Sequence, residues 1–504
     1  MTMMIRFLAG VASAQKTDVL ALFVFQGTGT SLASLQGDKR LAFLPPILKE
    51  EKWTGKKDEW VAFRTLGKLK ATRVGVLGLG EEKACTEDGL RVAAGKVMRK
   101  ALEVKARSIV VTLPVVKDMA PETMAQALAE GFRLAAYRFH GYKKQDPKHP
   151  LTDVKEVIVC VLDRSVAEAF RTGFARADVL AQAVHLCRDL VNTPSADMTP
   201  QTMVEAAQAL ATEGSRITMN VMPAKTMEEM GMRAALAIGR GSQHAPVGVH
   251  MTYTPEGTSK KRIVIVGKAV TFDSGGLSLK PADSMMTMKC DMAGGATVIG
   301  LFKALSALKL PFEIHGIFLA VENMPSGTAC RPGDVVVAKN GTSIEILNTD
   351  AEGRVTLADA LAYASEQKPD VLIDLATLTG ACVVALGEQI AAVLGNDRAL
   401  TDALVTAGRE TGDTLWELPL VKEYGDHIKS KIADVKNIGN RGEAGTITAA
   451  LFLEKFVGKN IPWAHLDIAG PAYAEKESRP DQPVGGTGFG VRLLVRYLQA
   501  LSTR

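Results

Sequence analysis

Cysteine is scarce in this chain, and no two cysteines form a CxxC pair. The six cysteines among 504 residues are spread singly along the sequence. A disulfide framework or a thiolate zinc site needs closely spaced cysteines, so neither class of protein fits. Because isolated cysteines are typical of a reducing compartment, we expect a cytoplasmic protein.

Long apolar runs are also missing. No uninterrupted apolar stretch reaches the roughly 18 residues that a membrane-spanning helix needs, so we expect no membrane segment. The N-terminal apolar stretch over residues 7–12 is shorter than the roughly 7 to 15 residues of a secretory signal, and a strand-like run follows it. Hydrophobic residues still make up 47% of the chain and charged residues 23%, which is typical of a globular protein.

The charge is nearly balanced overall, at +5, but it is distributed unevenly. Residues 1–165 contain 27 Lys and Arg against 18 Asp and Glu, so the first third of the chain is basic. Surplus positive charge attracts polyanions, and DNA binding therefore stays open as an alternative or additional function. A solvated basic surface is the simpler explanation of the same excess.

Strand-like and helical patterns alternate over the first third of the chain. Short apolar runs that predict buried strands occupy residues 19–25, 74–78, 108–113 and 157–162. Amphipathic stretches that predict helices occupy residues 89–104 and 121–138. A long helical pattern over 165–190 stops at the proline of Asn192-Thr193-Pro194. We therefore predict an N-terminal α/β domain at 1–165, a connecting helix at 166–194 and a larger domain at 195–504.

The larger domain repeats the alternation more regularly. Its predicted strands occupy residues 262–266, 313–321, 371–375 and 464–468. Its predicted helices occupy residues 295–308, 356–367 and 446–457. Strands separated by helices imply right-handed crossovers, so we expect a mainly parallel central sheet sandwiched by helices. The predicted fold class is α/β with two domains, and chemistry in such a sheet gathers beyond the carboxyl ends of its strands.

The usual signatures of nucleotide binding, zinc proteolysis and serine hydrolysis are absent. The glycine-rich residues 75–80 do not fit GxGxxG, and Lys268 lies outside any GxxxxGK[ST] pattern. None of the eight histidines belongs to an HExxH motif, and there is no GxSxG elbow. We therefore expect neither a nucleotide site, a histidine-based zinc site nor a nucleophilic serine.

Acidic and basic residues instead gather around the first strand of the larger domain. Lys268, Asp273 and Lys280 follow that strand in a glycine-containing stretch, and Asp291 precedes the next helix. Taken singly, Asp273 is an ordinary turn residue and Asp291 an ordinary helix cap. A third group of charged residues follows further along the chain, and together with it Asp273 and Asp291 become candidate metal ligands.

The third group is NTDAEGRVTL at 348–357, which contains Asp350, Glu352 and Arg354. If this stretch is extended, the three side chains alternate onto one side of the chain. Together the three groups supply four carboxylates, which can converge only if cations neutralise them. Carboxylate oxygens suit divalent cations, and four are enough to bridge two metal ions.

Five segments together resemble the leucyl aminopeptidases, the cytosol aminopeptidase family of dinuclear metallopeptidases. They are VGKAVTFDSGGLSLKP at 266–281, MKCDMAGG at 288–295, NTDAEGRVTL at 348–357, DLATLTGA at 374–381 and WAHLDIAG at 463–470. The resemblance covers the chain from about residue 192 onward, whereas residues 1–165 match only in size and alternation. It implies that residues 195–504 form a catalytic domain that removes N-terminal residues, preferably leucine and other apolar residues, from peptides.

The resemblance also implies ligands for two divalent metal ions, Mn²⁺ or Zn²⁺. Lys268, Asp273, Asp291 and Glu352 correspond to the ligands of the more exchangeable ion. Asp273, Asp350 and Glu352 correspond to those of the tighter one, so that Asp273 and Glu352 bridge the pair. Lys268 ligates only as the neutral amine, which requires the cation to displace its proton.

The implied catalytic residues are Lys280 and Arg354. Lys280 would polarise the scissile carbonyl and stabilise the charge on its oxygen. Arg354 would hold a bicarbonate ion that acts as general base towards the metal-bridging water. The implied substrate-binding residues are Met288, Asn348, Thr377, Leu378 and Gly380. With residues 444–449 several of these would line the pocket for the first side chain, although methionine and alanine also fill ordinary cores.

The family usually forms a hexamer whose active sites face an interior cavity, so the resemblance implies a homohexamer acting on peptides. Some bacterial relatives also bind DNA in recombination or transcriptional control, which gives the basic N-terminal residues their alternative role. Cysteinylglycine is a second possible substrate. The sequence leaves the metal at each site and the exact residue preference open.

Overall fold

The computed structural model describes residues 3–27, 38–112, 116–144 and 153–502. The chain forms two compact units: Met1–Ala181 with Glu477–Pro483, and Gln182–Lys476 with Val484–Arg504. The segment 477–483 thus belongs to the first unit although it lies near the end of the sequence. Within the described ranges, no helix combines the length and apolarity needed to span a membrane.

The first unit contains a six-stranded sheet. Its strands are β1 (Met4–Ala9), β2 (Thr17–Val24), β3 (Trp60–Arg64), β4 (Ala71–Gly78), β5 (Ser108–Thr112) and β6 (Glu156–Val161), in the order β1-β6-β5-β2-β4-β3. All neighbours are parallel except β3 and β4, which are antiparallel. The helices are α1 (Leu44–Glu50), α2 (Glu87–Glu103) and α3 (Pro121–Ala136), and α4 (Ala167–Asn192) contains the division between the units.

Alternation along β2 explains why helices cover both faces of this sheet. Val19, Ala21 and Phe23 pack with α2 and α3, whereas Leu20 and Leu22 pack with α1 on the other face. A strand buried on both faces is apolar at nearly every position, which is why its sequence predicted a strand without a clear alternation.

The second unit is built on an eight-stranded sheet. Its strands are β7 (Ile217–Pro223), β8 (Val247–Tyr253), β9 (Arg262–Asp273), β10 (Glu313–Asn323), β13 (Val371–Ala376), β14 (Ala391–Gly395), β15 (Leu415–Glu417) and β17 (Trp463–Asp467), in the order β15-β14-β17-β13-β9-β10-β8-β7. The central strands β17, β13, β9 and β10 are mutually parallel. Two small sheets contain β11 (Val335–Val337), β12 (Ser343–Glu345) and β16 (Val435–Lys436), and β18 (Tyr473–Ala474) and β19 (Gly485–Gly486).

Helices cover both faces of the eight-stranded sheet. They are α5 (Pro200–Gln208), α6 (Ala224–Glu229), α7 (Arg233–Gly239), α8 (Ala282–Met285), α9 (Ala293–Leu305), α10 (Glu352–Glu366), α11 (Gly380–Leu386), α12 (Arg398–Thr411), α13 (Gly445–Glu454) and α14 (Val491–Ser502). Side chains of α7, α10 and α13 form one core with the face of the sheet that presents Val264 and Val266. Helix α9 packs on the opposite face, where Val298 and Phe302 contact Gly316.

The predicted α/β fold with a mainly parallel, helix-covered sheet is confirmed. Most predicted elements coincide with observed ones within a few residues, although residue 113 of one predicted strand lies outside the described ranges. Two local interpretations were wrong. Lys268 and Asp273 lie within β9 rather than in a loop after it, and Glu352 is the first residue of α10 rather than part of an extended stretch.

Candidate metal centre and active site

The candidate site lies where the central strands of the second unit end. Asp273 is the last residue of β9, and Asn323, the last residue of β10, is its register partner. A β-bulge between Val321 and Asn323 brings the two side by side. Bulges often re-aim side chains at functional sites, and here the bulge joins two polar residues at the edge where parallel sheets carry their chemistry.

Lys268 connects three elements from a buried position in β9. Its Nζ lies 2.8 Å from Asp291 Oδ1 and 2.8 Å from Glu352 Oε1, and it donates to the carbonyl oxygen of Thr377 at 2.9 Å. The residue is only 3% exposed. The approach is possible because Gly353 has no side chain: a Cβ there would lie 2.4 Å from Lys268 Cε.

Lys280 makes a second set of contacts next to the first. Its Nζ lies 2.8 Å from Asp273 Oδ2 and 2.6 Å from Asp350 Oδ1. The other oxygen of Asp273 accepts from the Gly275 amide at 2.9 Å and from Asn323 Nδ2 at 2.8 Å. Every oxygen of Asp273 therefore has a fixed partner, and the carboxylate is held in one orientation.

The two loops that carry Lys280 and Asp350 are tied to each other. The Ser278 amide donates to Thr349 Oγ1 at 2.8 Å, and the Thr349 amide donates to Ser278 Oγ at 3.1 Å. Gly275 has a φ of +86°, and a Cβ there would lie 2.9 Å from Asp350 Oδ1. Glycine is therefore required both by the turn and by the close carboxylate.

The carboxylates of this site fit a divalent cation. Oxygens of Asp273, Asp350 and Glu352 all lie within 4.8 Å of one another. Asp291 Oδ2 and Glu352 Oε2 are buried and have no hydrogen-bond partner among the described residues. Buried carboxylate oxygens without a donor are costly unless a cation is bound, and oxygen ligands are those that hard divalent metals prefer.

Burial and mutual repulsion act on these carboxyl groups in the same direction. Burial raises the pKa of Asp273, and the charge of Glu352 raises it further. Burial likewise raises the pKa of Asp291 and of Asp350. For the two lysines, burial lowers the pKa, but the surrounding carboxylates outweigh burial and raise it above its usual range. The carboxylates thus favour positive charge at the centre of the cluster.

Arg354 is the third residue of α10 and is 9% exposed. Burial lowers the pKa of its guanidinium, while the charges of Glu352 and Asp467 raise it. Its Nε has no hydrogen-bond partner among the residues that the structure describes. A buried guanidinium with an unused donor suits an anion.

The predicted substrate-binding residues differ in how they connect to this cluster. Thr377 belongs to it directly, since its hydroxyl donates to Asp291 Oδ1 at 2.8 Å. Asn348 supports it, because its Oδ1 accepts from the Asp350 amide at 2.9 Å. Hydrogen bonds and ion pairs of the described residues do not link Met288, Leu378 or Gly380 to the side chains of the four clustered carboxylates or of Lys268 and Lys280. Met288 begins the 3-10 turn before Asp291, Leu378 follows Thr377, and exposed Gly380 begins α11.

Sequence reasoning missed three residues that hold the site together. Asn323 donates to Asp273, and its position two residues after the predicted strand 313–321 was the signal that could have found it. Asp467 accepts from the Leu378 amide at 3.2 Å and is the next-to-last residue of the predicted strand 464–468. Asn437 is fully buried and donates to the carbonyl oxygen of Asn348 at 2.7 Å, but nothing in its sequence surroundings indicated this.

Comparison with known protein families assigns most of the chain to one family. Residues 185–495 match the catalytic domain of the cytosol aminopeptidase family, and residues 21–146 match the N-terminal domain of that family. The chain belongs to the cytosol aminopeptidase family. The resemblance drawn from the five sequence segments is thereby confirmed, and the enzyme is an aminopeptidase of the metallo-exopeptidase class.

Relatives of similar length support the same assignment. A probable cytosol aminopeptidase of a Geobacter species is 44% identical over 453 residues, which cover 90% of this chain and 91% of that protein. One from Aquifex aeolicus is 43% identical over 488 residues, which cover 96% of each. Among solved structures, a mutant of tomato leucine aminopeptidase has a TM-score of 0.88 at 32% identity, covering 99% of this chain and 97% of that one. The bottromycin maturation enzyme BotP in complex with Mn has a TM-score of 0.84 at 35% identity, covering 96% of this chain and all of that one.

Proposed function

We propose that this enzyme removes N-terminal residues, preferably leucine and other apolar residues, from peptides in the cytoplasm. The observation that carries the proposal is the convergence of four carboxylates and two lysines at one edge of the sheet. The solved relative in complex with Mn supports a divalent cation at such a site. Residues 195–504 would form the catalytic domain, and residues 1–165 the N-terminal one.

The proposed metal ligands are those implied by the family resemblance: Lys268, Asp273, Asp291, Asp350 and Glu352. Two Mn²⁺ or Zn²⁺ ions held there would supply Lewis-acid activation of water and of the scissile carbonyl. The unpartnered oxygens of Asp291 and Glu352 support this assignment. The hydrogen bonds to Asp273 from Gly275 and Asn323 keep its carboxylate in place before any ligand arrives.

Lys280 is the proposed electrophile. Its ammonium is partly accessible, with 14% of its side chain exposed, and it is anchored by Asp273 and Asp350. An anchored ammonium at the edge of the cluster can donate to the carbonyl oxygen of a peptide and stabilise the negative charge that develops there. The pKa of Lys280 is raised, so the side chain stays protonated throughout.

Arg354 is the proposed anion holder. Its buried guanidinium with an unpartnered Nε fits a small planar anion, and bicarbonate would supply a general base beside the cluster. The proposed substrate-binding residues are Met288, Asn348, Thr377, Leu378 and Gly380.

The test is release of leucine from Leu-Gly by chelator-treated protein before and after addition of Mn²⁺ or Zn²⁺. We expect metal to restore cleavage of Leu-Gly but not of its N-acetylated form. Glu352→Ala should abolish turnover and reduce bound metal. Glu366→Ala, at the exposed end of the same helix, is the matched control and should behave as wild type. Near-normal activity of Glu352→Ala would contradict the site assignment.

Three further expectations belong to the same proposal. Sedimentation should show a homohexamer, and kinetics on cysteinylglycine would show whether that dipeptide is also a substrate. DNA binding by the basic N-terminal residues stays a prediction. Retardation of a duplex that weakens with rising salt would support it, and no retardation at low salt would remove it.

A further inference from the structure

Two neighbouring chain segments would form walls of the pocket that the family resemblance implies for the first side chain of the substrate. One wall is the stretch 377–380, which leads from β13 into α11, and the other is the start of α13. The segments approach closely just after the first wall, because a Cβ on Gly445 would lie 2.9 Å from the Cβ of Ala381 in α11. Whatever fixes the spacing of these walls also fixes the width of the pocket between them.

A chain of buried hydroxyl groups joins the two walls. Thr379 Oγ1 donates to Asp467 Oδ2 at 2.6 Å, since a carboxylate oxygen can only accept. The single hydroxyl proton of Thr379 is then used, so the 2.9 Å contact between Thr379 Oγ1 and Thr446 Oγ1 has Thr446 as its donor. Thr446 lies in the first turn of α13, and the bond therefore runs from one wall to the other.

Asp467 fixes the first wall by further bonds. Its Oδ1 accepts from the amides of Leu378 at 3.2 Å, Thr379 at 3.4 Å and Ala469 at 3.2 Å. The carboxylate ends β17, next to β13 in the sheet, and is fully buried. Bonds to a buried carboxylate are stronger than those between neutral groups, so this anchor is rigid.

The same anchor extends towards the catalytic cluster. Thr377 immediately precedes the anchored residues, and its carbonyl oxygen holds Lys268 while its hydroxyl holds Asp291. A shift of this wall would change the width of the pocket first. It would displace Lys268 and Asp291 less, because both side chains also have other partners.

We propose that Thr379, Thr446 and Asp467 form a clamp that sets the width of the first-residue pocket and thereby the preference for large apolar side chains. The three are positioning residues, since none of them is placed in contact with the reacting atoms. The inference rests on the proposed function and goes beyond it by naming what determines specificity.

The decisive variants remove one hydroxyl group each and keep the shape of the side chain. Thr379→Val removes both bonds of the clamp and also the bond by which Thr379 Oγ1 accepts from the Cys382 amide at 3.1 Å and caps α11. Thr446→Val removes only the bond between the walls and leaves Thr379 bonded to Asp467. Thr379→Ser keeps the hydroxyl group and serves as the rescue. Thr411→Val removes another buried hydroxyl group, in α12, and is the matched control.

The assay compares kcat and KM for leucine and alanine p-nitroanilides. We expect Thr379→Val and Thr446→Val to raise KM for the leucine substrate and to lower the leucine-to-alanine ratio of kcat/KM about tenfold, the scale on which one or two methylene groups are discriminated. The change in kcat should stay within about twofold, because the clamp does not touch the reacting atoms. The double variant should fall no further than the stronger single variant, because both lose the same bond.

Each outcome decides the matter. A wild-type enzyme that cleaves neither substrate overturns the proposed function and the clamp together. A wild-type enzyme that prefers leucine, with the same preference in Thr446→Val, overturns the clamp alone. Equal losses of kcat for both substrates, with an unchanged ratio, would also overturn it by showing a merely structural role. Recovery of the wild-type leucine-to-alanine ratio of kcat/KM in Thr379→Ser supports the clamp. If Thr379→Val does not fold, the ratio measured for Thr446→Val decides whether the clamp exists.

Discussion

At Gly353, a single added methyl group should reduce activity strongly while the protein still folds. It lies in the first turn of α10, between the proposed ligand Glu352 and Arg354. A Cβ at this position would lie 2.4 Å from Lys268 Cε and 2.5 Å from Lys268 Nζ. Carbon atoms pack at about 3.5–4.0 Å, so Gly353→Ala must push the end of Lys268 away by roughly 1 Å or more.

That displacement should cost far more in activity than in stability. Lys268 is fully enclosed, and its ammonium is held between Asp291 and Glu352. A misplacement of about 1 Å in a catalytic arrangement can cost about 100-fold in rate. Overpacking destabilises by about 1–3 kcal/mol. The better helix propensity of alanine offsets about 1 kcal/mol of this.

The assay measures kcat/KM on Leu-Gly, bound metal and urea unfolding for the same preparations. We expect Gly353→Ala to lose at least about 100-fold in kcat/KM while its free energy of unfolding falls by at most about 2 kcal/mol. Gly425→Ala is the matched control, because a Cβ there meets nothing within 4 Å. A folded Gly353→Ala enzyme with activity within threefold of wild type would refute the reasoning.

Three other perturbations test different parts of the second unit. Lys280→Met should reduce kcat at least about 100-fold at saturating substrate; a change in KM alone would contradict its role as electrophile. Asp359 accepts from the amides of Ala235 and Lys339 at 2.8 and 2.7 Å. Asp359→Ala should therefore lower the free energy of unfolding by about 2–5 kcal/mol, measured by urea titration against Asp359→Asn, which keeps an acceptor; equal stabilities would contradict this. Burial and neighbouring His315 lower the pKa of His250 to about 4. Its neutral form is thus favoured in the fold, and stability should fall as pH drops from about 6.5 to about 4, by at most about 3 kcal/mol. His250→Gln should make the free energy of unfolding less dependent on pH in this range. An unchanged pH dependence would show that other groups cause it.

The fold was predictable because the central strands are apolar throughout. In β9 the run Ile263–Val266 is buried on both faces. A strand in that position is apolar at nearly every residue, so its sequence is easily recognised. The edge strand β3 was missed because its residues are mostly half-exposed and do not form an apolar run. The membership of residues 477–483 in the first unit could not be predicted either. Arg479 joins the first unit through Asp88, 391 residues earlier, and no local pattern encodes such a pairing.

The candidate site was predictable in composition but not in geometry. Carboxylates and lysines near strand ends indicated where charges converge, and the resemblance supplied their roles. The start of α10 at Glu352 was missed because a glycine follows immediately, and Gly353 is there for the approach of Lys268 rather than for helix formation. Asn437 was missed because its bonds to the stretch 347–351 are purely tertiary.

Strand register is what links the chemistry of this enzyme to its proposed specificity. In β9 and β10, Asp273 pairs with Asn323, which orients the carboxylate of the cluster. In β13 and β17, Asp467 pairs with Ala376, one residue before the wall that begins at Thr377. A slip of one residue in either pair would turn these side chains to the opposite face of the sheet. Because β9 and β13 are themselves neighbours, the metal cluster and the pocket wall are both positioned by one continuous hydrogen-bonded ladder.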